Sequence, residues 1–506
     1  MALTLLIICH FFTGYGLLRL LRIVHKPLVL LPLAFLSGIA VDSFLPFLLQ
    51  LCHCPLYPAT VFGSLGLVVL LLNIGGLRLI PAGGRTRRRS LTLKSILSPI
   101  RIRSYEYPSL LLLSFLVFVS VWRCYYLPPT SRDALSGPEA IAEYAVREHT
   151  IVNSFFTVDL STTNNHFKSP FLISLQVIYK MAGFPFGQVW LSIIFVSFTW
   201  LLYQLLKLTL HPILAGLLLL LMTMAPELYA YSFMILYDYS NMVFFFLGIY
   251  FLFRSDGTGG PPDGLRAPAS GDASAGRDSE FFFGAFMMGV STYIRSETLV
   301  LAAFFLPLIV RKDWRNKTPL GGMVRRGVLF LLPSLVAYFL TTWLYINYYL
   351  PVRYDIGNLA NPHLFQLGAL YHVYADMVTE LVTSAWSIHL WGYFIILWAA
   401  VILADVLVGR RLSRPARDWL YAVGVVFFGL GLLSHIFPLM EVALTIKRGF
   451  FKILPSMLFC LANSQLLIKL STRISQWEEG RDGAITTPEF SGDKPRSSWD
   501  SEPPAL

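Results

Sequence analysis

Runs of about 17 to 25 apolar residues, parted by short basic loops, constrain this chain more than any other feature. In hydrocarbon each backbone N–H and C=O must find its partner within the segment, so such runs fold as helices. Only 14% of the 506 residues are charged, against about a quarter in soluble domains. The mean hydropathy of +0.62 agrees, and the class is a polytopic membrane protein whose first partner is the lipid bilayer. The net charge of +11 does not point to nucleic acid, and none is expected as a partner. The cations sit in short loops between apolar runs, where the positive-inside rule places them.

Membrane helices are expected at about Ala2 to Leu18, Leu28 to Leu51, Ala59 to Leu77 and Pro108 to Tyr126. Further ones follow at Gln188 to Leu206, Ile213 to Ala230 and Asn241 to Phe253. The apolar stretch from Phe281 to Val310 is broken at Arg295, Ser296 and Glu297 and reads as a helical hairpin. Val328 to Tyr349, Ile388 to Val408, Trp419 to Phe437 and Phe450 to Leu470 complete a set of about 13 transmembrane helices in an all-α fold. The first apolar run has no basic leader and ends in Arg19, Arg22 and Lys26, so it reads as a retained helix. The loop holding Arg78, Arg85, Arg87, Arg88, Arg89, Lys94, Arg101 and Arg103 marks the cytoplasmic side and puts the N-terminus outside. Three regions result: an N-terminal three-helix segment with its basic loop (1–107), a transmembrane region (108–470) and a disordered tail (471–506). Within the second, 127–187 is an external loop and 254–280 a flexible Gly/Pro-rich cytoplasmic one without fold. A polar external segment spans about Pro351 to Ser384, and no internal repeat is evident.

The external loop from Leu127 is rich in acids and aromatics rather than bare arginines. Ser136-Gly-Pro-Glu139 has the capping-box pattern, and Ala140 to His149 can form a helix with Glu143 and Arg147 paired at i,i+4. Its apolar positions, Ile141, Tyr144 and Ala145, suit a membrane surface. Those acids have structural roles; Asp133 has none and is the candidate general base, with Asp159 and Asp238 behind it. Lys168 and His166 stand just before a helix start, where a cation can hold an anionic headgroup. Arg295 and Glu297 interrupt an apolar stretch, where ionisable groups are costly unless paired or functional. Lys447, Arg448 and Lys452 put positive charge at an outer helix end, against the general bias, and suit a phosphate clamp. Cys52, His53 and Cys54 are too few for a zinc site, and no Asp-x-Asp motif appears, so neither cofactor nor obligatory metal is expected.

The order of these parts resembles the GT-C superfamily of integral-membrane glycosyltransferases, in particular the protein-mannosyltransferase and aminoarabinose-transferase type. The resemblance rests on PPTSRDA with Asp133, HFKSPFL with Lys168 and Pro170, GVSTYIRSETLVL with Arg295 and Glu297, and KRGFFKILP with Arg448. It covers roughly Pro108 to Leu470. The chain departs from the family pattern in having Asp-Ala for Asp-Glu, Lys-Ser-Pro for Lys-Pro-Pro, and three helices before the loop. The resemblance implies transfer of a sugar from a polyprenyl-phosphate donor to a glycan, lipid or protein acceptor at the external face. Asp133 would be the base of an inverting displacement, and Arg448, Lys168 and Arg295 would hold the phosphate. A bacterial cytoplasmic membrane, with the site facing outward, is the expected location. A transporter or lipid flippase accounts for the helices and the Arg/Glu pair but not for the structured loop. A lipid-linked glycan polymerase or ligase would use the same carrier.

Overall fold

The structure, a computed structural model, describes residues 2–23, 26–78, 103–157, 168–255, 273–350, 366–383, 391, 393–409, 411–437 and 440–485. The described residues are all-helical, without a strand. Helices α1 (Ala2–Leu20), α2 (Pro27–Asp42), α3 (Leu45–Leu51) and α4 (Pro58–Arg78) come first. Next are α5 (Tyr107–Tyr126), α6 (Arg132–Leu135), α7 (Pro138–Glu148), α8 (Phe171–Met181) and α9 (Val189–Leu206). Then follow α10 (Pro212–Thr223), α11 (Pro226–Tyr231), α12 (Tyr237–Ser255), α13 (Ala273–Ile294), α14 (Thr298–Ala303) and α15 (Leu306–Arg315). The last are α16 (Leu320–Tyr338), α17 (Leu367–Val378), α18 (Phe394–Gly409), α19 (Arg414–Ile436), α20 (Ile453–Ala462) and α21 (Gln465–Ile485). Among the described residues seven helical spans are long and apolar enough to cross a bilayer, and an eighth if the bent pair Lys447–Ala462 and Gln465–Glu478 counts as one. This is compatible with an integral membrane protein. Leu111, Phe115 and Phe118 on α5 and Leu407 and Val408 on α18 are exposed, as a face turned to lipid would be.

The N-terminal helices are built into the molecule. A Cβ on Gly14 would lie 1.8 Å from the Ala34 carbonyl oxygen, and one on Gly38 1.7 Å from that of His10, so α1 and α2 touch backbone to backbone. In this seam His10 Nδ1 bonds Asp42 at 2.6 Å and Nε2 meets the Tyr179 hydroxyl of α8 at 3.1 Å. Trp200 Nε1 donates to the Leu28 oxygen at 3.0 Å, and Phe44 stacks on Tyr293 of α13 at 3.9 Å. The loop after α3 is tied to the end of α7, where Leu56 N donates to the His149 oxygen at 2.7 Å.

Several expectations are corrected. The stretch expected as one external loop, 127–187, holds the buried helix α8, whose 11 residues are too few to cross a bilayer. The capping box does not form. Ser136 Oγ donates to the Arg132 oxygen at 2.8 Å, and Glu139 instead reaches Lys180 at 2.7 Å and Gln176. Ile141 and Ala145 do not lie on a membrane surface but are buried, against α8, while the Glu143–Arg147 pair forms at 2.9 Å. Proline at the first turn of α11 divides the helix expected at Ile213 to Ala230. Helix α13 begins at Ala273, inside the stretch expected to lack fold, and Arg254 pairs with Glu280 at 2.9 Å. A helix, α17, stands within the segment expected as polar and external. The last expected helix is bent by 56° after Ala462, and the expected tail is helical to Ile485. Glu478 on it meets Arg103 and, at 3.2 Å, His211, at the end of α5 opposite Tyr126.

Candidate functional site

The site forms where the breaks in the helices converge. Helix α13 ends at Ile294, the chain passes through Arg295-Ser296-Glu297, and α14 starts at Thr298. Freed backbone groups at such a break need partners. Asn241 of α12 supplies a brace: its Nδ2 donates to the Ser291 oxygen at 2.7 Å, Ser291 Oγ at 2.8 Å and Thr298 Oγ1 at 3.1 Å. Both sides of the break are thereby tied to α12, which carries Asp238 in its first turn, where the helix dipole favours a carboxylate. Arg295 bonds Asp238 through Nη1 and Glu297 through Nε at 3.1 Å, and Lys452 Nζ reaches the same Glu297 at 2.9 Å. Asp238, Arg295, Glu297 and Lys452 thus form one buried chain of alternating charge, which offsets the cost of removing each from water.

Lys168 is held by its neighbours. The Tyr237 hydroxyl donates to the Ser169 oxygen at 2.9 Å, and Lys168 Nζ lies 5.5 Å from the centre of the Tyr237 ring. Burial pushes this ammonium down to about 8; Arg295 and Arg448 act the same way, while Asp238 and Asp133 oppose it. Lys447 to Lys452 form two short helical turns leading into α20. Gly449 lets them approach α19, since a Cβ there would meet Leu430 Cδ1 at 2.8 Å. Phe451 packs edge-on to Tyr231 at 4.7 Å and fixes the segment against α11. Arg448 then reaches Asp133 on α6, Nη1 to Oδ2, at 2.9 Å.

Lys168, Asp238, Arg295, Glu297 and Arg448 line one cavity of about 220 Å³, with Thr341, Thr342 and Thr445 among its other walls. Three cations against two acids on one concave wall suit an anionic group, and guanidinium forks match phosphate oxygens. Lys168, Arg295 and Arg448 are therefore brought together from three motifs far apart in the chain. Lys447 is turned to Glu380 at 3.1 Å, and Lys452 is buried on Glu297, so neither lines the cavity. Asp159 and His166 lie outside the described residues. Among the described residues, no three His, Cys, Asp or Glu side chains converge as a metal site requires.

Sequence reasoning missed Asn241 and Glu227. Glu227, on the six-residue α11, has Oε2 buried without a hydrogen-bond partner. Burial raises its carboxyl above the usual range, against the pull of Lys447 and Arg448. The Pro226-Glu227 pair directly after an apolar run was its only sequence signal. No family model, curated protein or solved structure matches the chain.

Proposed function

We propose that the chain is a GT-C-type integral-membrane glycosyltransferase that moves a sugar from a polyprenyl-phosphate donor to an acceptor at the external face of a bacterial cytoplasmic membrane. The observation that carries this reading is the cavity lined by Lys168, Arg295 and Arg448, with Asp133 hydrogen-bonded to Arg448 beside it. A donor anchored by its lipid arrives laterally in the bilayer, so its phosphate needs fixed positive charge at the depth of a helix break. The acceptor oxygen attacks the anomeric carbon as the bond from that carbon to the phosphate oxygen breaks. The electron pair leaves with the phosphate, which Arg448, Lys168 and Arg295 stabilise. The acceptor proton goes to Asp133. The reading keeps about thirteen crossings, some made by helices shorter than the bilayer, and a cell-envelope glycan, lipid or protein as acceptor.

One feature favours a transporter or lipid flippase instead, the buried charge chain from Asp238 to Lys452. Turnover separates the two. Membranes holding the intact protein, Asp133→Asn or Arg448→Ala are supplied with a panel of polyprenyl-phosphate sugars, and released lipid phosphate is measured. The glycosyltransferase reading expects release by the intact protein and a loss of about 100-fold or more in both variants at equal expression. Full transfer by Asp133→Asn would end the base assignment and pass it to Asp238, which lines the cavity, or to Asp159. Lipid movement without cleavage would establish the flippase.

A further inference from the structure

Asp133 and Arg448 lie 315 residues apart in sequence and meet at 2.9 Å, with about a third of each side chain exposed, 34% and 32%. The other guanidinium on the cavity wall, Arg295, is held between Asp238 and Glu297, and the three side chains are only 17%, 5% and 11% exposed. Arg448 differs in both respects. Its partner rides on α6, a four-residue turn between two longer helices, anchored by the single buried residue Ala134. Arg448 also lines the cavity, so the pair joins α6 to its wall.

The two roles assigned to this pair conflict while it stays closed. The guanidinium at 2.9 Å occupies Asp133 Oδ2, an oxygen that would have to face the acceptor hydroxyl to take its proton. The same contact spends the positive charge that a phosphate would need. The donor phosphate, a diester, carries one negative charge as the carboxylate does, but it can take both arms of the fork where Asp133 takes only Nη1, so it competes for Arg448. Resting on the glycosyltransferase reading, we propose that the Asp133–Arg448 pair is a lock that the donor opens. The lipid phosphate takes Arg448, Asp133 is displaced on its short turn, and the base becomes competent only with the donor seated. Until then the carboxylate stays paired with Arg448 beside the cavity.

The experiment measures binding of a sugar-free polyprenyl phosphate to the purified full chain in nanodiscs, for the intact protein, Asp133→Asn and Arg448→Gln. Removing the competitor makes Asp133→Asn bind up to about fivefold tighter, as expected for a partly exposed ion pair. Arg448→Gln binds at least about tenfold more weakly. Binding by Asp133→Asn that equals or falls below that of the intact protein overturns the lock while leaving the donor reading in place. Failure of the intact protein to bind the probe overturns the donor reading itself and the lock with it. Hydrogen exchange on the intact chain gives a second readout that needs no variant. Saturation with the probe speeds exchange across Ser131 to Ser136, and an unchanged rate there overturns the displacement.

Discussion

Replacing Arg295 by glutamine tests whether the charge chain holds the helix break together. Asp238 is 5% exposed and Glu297 11%, so neither carboxylate can turn to water for full compensation. The substitution strips Asp238 of the guanidinium it is bonded to, while Glu297 keeps Lys452 at 2.9 Å. Removing one partner of a buried pair costs about 3–5 kcal/mol. Because one of the two carboxylates keeps a cation, the lower end applies, about 3 kcal/mol. Adding Asp238→Asn removes the stranded charge and should return about 2 kcal/mol, a coupling typical of groups in direct contact. The assay is unfolding of the purified protein in mixed micelles by increasing SDS, followed by tryptophan fluorescence, for the two single variants and the double. An Arg295→Gln protein within about 1 kcal/mol of the intact one would refute the reasoning. So would a double variant no more stable than that single one.

Two further outcomes follow from the same geometry. Lys168 is charged below its lowered pKa and neutral above it, so kcat/KM for the donor should fall as pH rises through about 8. The limb in kcat should lie higher, since bound phosphate favours the ammonium, and Lys168→Arg should abolish the limb up to about pH 9; an unchanged limb in that variant would exclude Lys168 as its source. Cys52 and Cys54 are exposed thiols next to Leu56, which is bonded to the end of α7, so they mark the same end of the molecule as Asp133. With that end external, an impermeant maleimide should label them in intact cells and leave buried Cys124 and Cys460 unmodified; labelling only after permeabilisation would reverse the orientation.

The apolar runs by themselves determined the helical class and the long spans. The boundaries expected for α4, α5 and α9 fall within a few residues of those observed, because a bilayer-length run has only one way to satisfy its backbone. Charge inside an apolar stretch likewise located the break at Arg295 to Glu297, since an ionisable pair there is too costly to be incidental. Pairing was decided by tertiary structure. Nothing local ties Asp133 to Arg448, or directs Lys452 to Glu297 rather than into the cavity, because such choices depend on which helix ends arrive together. The bounds of the short helices α8, α11 and α17 escaped sequence reasoning for a related reason. At 11, 6 and 12 residues they are below the length at which an apolar run stands out, and neighbouring helices supply the burial that keeps α8 and α11 in place. The place of α1 and α2 was equally hidden: Gly14 and Gly38 are ordinary glycines in the sequence, and only the backbone contact between the two helices gives them their role. That contact seats the His10–Asp42 pair against Tyr179 of α8, the helix that follows Lys168.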